Sequence, residues 1–185
     1  MATKRPQKVV LFVEGTTDDT NGDLRQGFEN LLKKELAEKM PRIKLGNGIT
    51  QTIDKFSNTP EGINEGVKFI LIDLDGHADN KAERIRKFNL PESLTFFMVQ
   101  AMEAWFLSQP NILNDFYKKD LKIPQKHASE IDKPDRELRK LTKNSDKKEY
   151  HKVRHAVELL SKLDVKKLKK DFPDFNNLID VLKNV

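Results

Sequence analysis

A chain of 185 residues with 37% hydrophobic and 34% charged residues is long enough for one real core, too short for two ordinary domains, and too apolar for a disordered chain. No apolar stretch approaches the roughly 20 residues of a membrane span, and the start MATKRPQK lacks the apolar core of a signal peptide, so a cytoplasmic protein with no membrane partner is expected. The absence of cysteine excludes disulfides, thiolate chemistry and zinc fingers, and leaves any metal to oxygen or imidazole ligands.

The first predicted strand is Lys8 to Val13, within VVLFVEG; the turn EGTTDDTNGD leads from it into a helix of about Leu24 to Lys39 whose Leu24, Phe28, Leu31, Leu32 and Leu36 keep the helical period. Arg42 to Leu45 reads as a short second strand stopped by GNG, and 49–66 has room for one short helix. Val67 to Ile72 is the clearest strand, followed by DLDGHADN and a helix over Lys81 to Phe88; Leu94 to Val99 is the next strand, leading into a helix or turn over Ala101 to Leu107. This alternation predicts an α/β fold, a Toprim/Rossmann-like mostly parallel sheet flanked by helices, with right-handed crossovers. After Pro110 the strand signal stops. Asn111 to Lys118, Pro134 to Thr142, Tyr150 to Leu163 and Phe175 to Leu182 carry helical spacing. The expected organisation is an α/β core over 1–110 with a basic helical extension over 111–185 packed on it.

The net charge of +5 is unevenly placed: from Lys118 to Lys170 there are 18 Lys and Arg against 9 Asp and Glu, and elsewhere 16 against 20. A basic surface beside an acidic site suits a polyanion; a solvated helix face accounts for the same residues.

Acidic residues follow three of the apolar runs. Functional groups of parallel sheets collect beyond the carboxyl ends of the strands, and carboxylates gathered there repel unless a cation sits among them, so the pattern suits Mg²⁺ or Mn²⁺. Glu14 precedes Gly15 at a strand end, and Asp18 or Asp19 reaches the same place or caps the next helix. In FILIDLDG, period-two geometry aims Asp73 and Asp75 the same way, as chelation needs. Glu103, in MVQAMEAWF, is either a further ligand or ligand orienter or the solvated side of an amphipathic helix. Lys81, Arg84 and Arg86 follow the DxDG on a helix and are candidates for substrate phosphates, or lie on a solvated face. His151 and His155 are four apart on a helix but lack the glutamate of a zinc-protease motif, and read as a surface pair. His77 directly follows the DxDG.

A DxDG at a strand end is used by haloacid-dehalogenase-type phosphatases and by Toprim domains. The phosphatase motif normally opens its chain and has Thr where His77 stands. The order of a glutamate after the first strand and a DxD after a later one resembles the Toprim superfamily. More closely, EGTTD at Glu14 to Asp18, DLDG at Asp73 to Gly76, EAW at Glu103 to Trp105 and a closing segment over Tyr150 to Leu182 resemble the small Toprim-like family catalogued as domain of unknown function 4276, with Asp18 where that family typically has glutamate. The resemblance implies Mg²⁺-dependent phosphodiester chemistry on DNA or RNA, in a bacterial or phage-defence setting with an ATPase partner, and leaves self-association open. It implies Asp73 and Asp75 as metal ligands, Glu14 as ligand or general base, and Glu103 completing the site. With only Tyr117 and Tyr150 available, a covalent tyrosyl intermediate is not expected. The alternatives are a non-enzymatic regulatory or assembly subunit that binds an ATPase or nucleic acid, and the DxDG phosphatase.

Overall fold

The computed structural model of the protein describes residues 8–18, 22–60 and 66–185. Its strands in chain order are β1 (Val9–Gly15), β2 (Thr17–Asp18), β3 (Gly22–Asp23), β4 (Arg42–Asn47), β5 (Val67–Asp73) and β6 (Thr95–Met98). β2 and β3 pair with each other antiparallel, where the sequence suggests only a turn. The other four form an all-parallel sheet in the order β4-β1-β5-β6. The helices are α1 (Arg25–Leu36), α2 (Ile49–Ser57), α3 (Lys81–Phe88), α4 (Met102–Leu107), α5 (Pro110–Tyr117), α6 (Pro134–Thr142), α7 (Arg154–Lys162), α8 (Val165–Asp171) and α9 (Pro173–Asn184). The arrangement is the expected α/β Rossmann-like one, with helices on both faces of the sheet and a helical carboxyl-terminal part. Among the described residues no helix is long and apolar enough to cross a membrane.

Strand alternation sends neighbouring residues to opposite faces, which is why β1 and β5 are apolar at almost every position. Leu11, Val13, Phe69, Leu71 and Met98 join a core with Phe28, Leu31 and Leu32 of α1, Trp105 of α4 and the helices beyond residue 110. Phe12, Ile70, Ile72 and Phe97 join a second layer with Phe56, Leu74 and Leu90, against which Ile85 and Phe88 of α3 pack. Trp105 is the hub of the larger layer. It meets Phe28 at 6.4 Å, Phe172 at 6.4 Å and Phe175 at 5.1 Å between ring centroids, all edge to face, pairs each worth about 0.5–1.5 kcal/mol beyond their burial. One core therefore runs through the sheet and the later helices.

β1 continues past Val13 because β4 partners it to the end, Glu14 opposite Gly46 and Gly15 opposite Asn47. α1 stops at Leu36, where the chain tightens into a 3-10 turn over Ala37–Lys39. α7 starts only at Arg154: Tyr150 N–H donates to Thr142 Oγ1 at 2.8 Å, and His151 Nδ1 accepts from the N–H groups of Val153 and Arg154, so 150–153 is a lead-in held by side chains. α8 carries little apolar signal, burying only Val165 and Leu168, and is started by Asp164 Oδ1, which accepts from Lys166 N–H at 2.8 Å and Lys167 N–H at 3.2 Å.

The two edges of the sheet are finished differently. At β6, Asp174 of α9 takes the Phe97 N–H through Oδ2 at 3.1 Å and pairs with Lys81 of α3 through Oδ1. At β4, the other edge strand, Lys55 of α2 donates to Leu45 O at 2.7 Å.

Gly46 fixes how closely α2 packs on β4. A Cβ placed there would stand 2.1 Å from Thr52 Oγ1 and 2.4 Å from the Thr52 backbone, and Thr52 is itself held by donating to Gly48 O at 2.7 Å. Gly46→Ala is expected to destabilise the fold by about 3 kcal/mol, the upper end of ordinary overpacking; the urea unfolding midpoint measures it, and a midpoint within error of wild type would contradict the close approach.

Candidate functional site

β1 and β5 run in register to Val13 and Leu71. Beyond that, the Asp73 N–H is taken by a side chain: Glu14 Oε2 accepts it at 3.0 Å. Asp73, 5% exposed, closes β5, and its Oδ1 accepts the Met102 N–H at 2.9 Å. That bond satisfies an orphan donor of α4's first turn and puts a carboxylate at the positive end of the helix. One residue on, Glu103 is fully buried. Its Oε1 accepts the Tyr150 hydroxyl at 3.0 Å, and its Oε2 is buried without a partner among the described residues. Three carboxylates from three separate apolar runs thus meet at the carboxyl end of the sheet.

The structure brings a fourth group among them. Lys152 Nζ lies 3.8 Å from Asp73 Oδ2 and 3.9 Å from Glu103 Oε1. Burial alone would lower its ammonium; the charges of Glu103, Asp73 and Glu14 overcome that and hold it above its ordinary range. Burial pushes the Asp73 carboxyl well up against the pull of Lys152, and Glu14 and Glu103 push it further. Glu14 is also raised, chiefly by burial, with the charge of Asp75 adding. Burial and the neighbouring Glu103 charge drive the Tyr150 hydroxyl far up, so it remains a donor.

The acidic pair does not point one way. β5 ends at Asp73, and Asp75 takes a left-handed backbone, φ 53°, so strand alternation no longer applies. The loops after β5 and β6 lock together, Asp75 N–H to Gln100 O at 2.8 Å and Gln100 N–H to Gly76 O at 3.0 Å. The Asp75 side chain is 60% exposed and pairs with Arg84, which places it at the mouth of the cluster. Lys81 pairs with Asp174 of α9 and not with the acids of the cluster. Arg86 is exposed and borders, with Lys81, a cleft of about 750 Å³ between α3, β6 and α9. Asp18 is the last residue of β2, but its side chain, like Asp19, lies outside the described residues.

The histidine pair is also placed otherwise than expected. His155 is buried, its Nδ1 is 3.0 Å from the Tyr117 hydroxyl, and burial lowers it to about 4. It is a neutral part of the core beneath the Lys152 segment. His77 lies at the rim, 3.3 Å from Asp132 and 3.4 Å from the Gln100 amide.

Among the described residues, no three His, Asp or Glu side chains are already arranged to hold a metal ion; the ammonium of Lys152 supplies the positive charge. The donor set nevertheless fits a hard divalent cation. It is all oxygen, and Glu103 Oε2 is a buried acceptor with no donor among the described residues. Lys152 and Tyr150 complete the cluster from a segment more than forty residues downstream of Glu103. Nothing in KNSDKKEYHK separates Lys152 from the neighbouring lysines; the nearest signal is the apolar ring of Tyr150 inside a polar stretch.

The structure defines an α/β Rossmann-like domain with buried acids at its strand ends. The comparison with known families narrows it. Residues 13–183 match the family described as Domain of unknown function (DUF4276), so the chain belongs to that family, as the order of EGTTD, DLDG and EAW implies. No curated protein and no solved structure matches the chain.

A carboxyl raised in the fold holds its extra proton in the native state, so the stability it contributes is fully present below the unfolded value of about 4 and is lost as the pH rises through the folded value. Glu14 and Asp73 both act in this sense. Asp73→Asn keeps an acceptor for the Met102 N–H and removes one of the titrating groups, so its stability should fall less than that of wild type between about pH 4 and pH 8 in urea unfolding. Lys152→Met should act oppositely. Because the Lys152 side chain is about one-third exposed, the expected loss at neutral pH is about 2 kcal/mol, below that for a fully buried pair, and it should shrink towards pH 5. Parallel pH profiles for wild type and both variants would contradict the coupling.

Proposed function

We propose that this protein is a divalent-metal-dependent phosphodiesterase acting on nucleic acid, a Toprim-type nuclease. What carries the reading is the convergence of Glu14, Asp73 and Glu103 at the carboxyl end of a parallel sheet, with one Glu103 oxygen buried and unpartnered. The motif order EGTTD, DLDG, EAW supports it. Asp73 and Glu103 would hold Mg²⁺ or Mn²⁺, with Glu14 beside them and Asp75 at the mouth. Held by these residues, such an ion would lower the pKa of a water and offset charge on the scissile phosphate.

The chain's own residues supply the rest. Glu14, raised by burial, is a stronger base than an exposed carboxylate and would take the proton of the attacking water. Lys152, beside Asp73 and Glu103, would be the cation that meets the phosphate. Tyr150 fixes the Glu103 carboxylate in one orientation through its hydroxyl. Arg84, tied to Asp75 at the mouth, would be the contact for the flanking phosphate, while Lys81 is paired with Asp174 of α9. A cytoplasmic setting and an ATPase partner belong to the same proposal, the latter on family resemblance alone.

One observation favours a second reading. Lys152 already compensates the carboxylates, as it would in a non-enzymatic subunit whose cluster is structural. The two separate on metal binding and cleavage together. Purified protein with Mn²⁺ should bind the ion, seen by loss of the free Mn²⁺ electron paramagnetic resonance signal, and should cut DNA or RNA. Asp73→Asn should weaken both by at least about 100-fold, and Glu14→Gln should reduce cutting more than ion binding. Cutting that survives both substitutions sinks the site. Phosphate release from a small monoester, with nucleic acid left intact, favours the phosphatase.

A further inference from the structure

We propose that the outermost strand β4 carries a second site, a groove that holds the phosphate backbone of nucleic acid apart from the carboxylate cluster; the choice of nucleic acid as the polyanion rests on the reading above. Two adjoining clefts, of about 650 and 720 Å³, share Arg42, Lys44 and Thr59. Lys55 of α2 lines one, Lys8 and Lys39 line the other, and among the described residues the carboxylates along them are Asp54 and Glu38.

β4 builds this surface by simple alternation. Ile43 and Leu45 turn to the core with α1, so Arg42 and Lys44 stand on the opposite face, about 7 Å apart along the strand. That spacing is comparable to the distance between successive phosphates of a polynucleotide. Lys44 is steadied by the Phe12 ring, 5.3 Å from its ammonium, and Lys55 by donating to Leu45 O at 2.7 Å. Among the described residues, none of Lys39, Arg42, Lys44 and Lys55 pairs with a carboxylate. The Lys-rich region after residue 117 is neutralised in part: Lys118, Lys122, Arg139, Lys140, Lys147, Lys162 and Lys167 each have an acidic partner. What distinguishes β4 is that Lys39, Arg42, Lys44 and Lys55 gather along two adjoining clefts.

The groove offers point charges and a flat strand, with nothing shaped to read bases, so binding should be indifferent to sequence and steeply salt-dependent. By register Gly46 stands opposite Glu14, which puts Lys44 one strand and two residues from the cluster. Arg42 and Lys44 project from the face of the sheet and not from its edge, and this favours a backbone lying along the groove over an acidic peptide pairing with β4.

The test is fluorescence anisotropy of a labelled single-stranded oligonucleotide of mixed sequence, in EDTA, across a salt series. Arg42→Glu/Lys44→Glu should weaken binding at least tenfold and reduce the slope of log affinity against log salt by about 1.4, at about 0.7 per phosphate contact. Arg42→Gln/Lys44→Gln, gentler on folding, should give an intermediate loss, and Lys140→Glu/Lys143→Glu a change under twofold. Unchanged binding in both β4 variants overturns the groove. So does a wild type that does not bind at about 50 mM salt, or displacement of the oligonucleotide by polyglutamate at equal charge. Binding lost in the β4 variants, retained in Asp73→Asn, and unaccompanied by cleavage in wild type would leave the groove standing and remove the nuclease.

Discussion

The arrangement turns on one hydrogen bond, from the Met102 N–H to Asp73 Oδ1. It ties the end of a central strand to the start of the helix that follows the next strand, and it requires a carboxylate to be buried. Once Asp73 is there, its charge must be met. Lys152 meets it from 79 residues further along the chain, and Glu103 is drawn into the same environment. The loop after β5 has to turn sharply, because the chain cannot continue as a strand while Asp73 is committed to α4; Asp75 accordingly takes a left-handed backbone and leaves for the surface. The cluster is a consequence of joining two elements through a charge.

That origin makes the cluster electrostatically unsettled. Two carboxyls stand above their ordinary range, chiefly through burial, and one ammonium stands above its own through the charges of the carboxylates. Removing any one member changes the protonation of the rest, so the groups titrate as a set. Such a set is suited to chemistry in which a proton or a cation changes place, and it is a poor means of adding stability, since buried charges seldom repay their desolvation.

Much of the fold was legible because burial on both faces leaves a plain mark: VVLFV and FILI are runs that only a central parallel strand or a buried helix would use. Glu14 and Asp73 were legible as the acids ending those runs. Asp75 was misplaced because period two was carried past the last residue of β5, where the left-handed backbone takes over. The zwitterionic character of the site could not be read at all. Lys152 sits among lysines with the same local pattern, and its role depends on where Tyr150 and the buried His155 fix its segment. α8 and the β2–β3 pair escaped for a simpler reason, having too few apolar residues to show a period.

The cover of β6 by Asp174 has a temporal side. The Phe97 N–H is satisfied by a residue 77 positions later, so a nascent chain presents β6 as an unfinished edge until α9 has emerged. At about 5–20 residues per second this lasts roughly 4–15 s, long compared with the formation of any helix or strand pair in the molecule. During that interval the edge is a template for another chain, and what meets it first decides between folding and association.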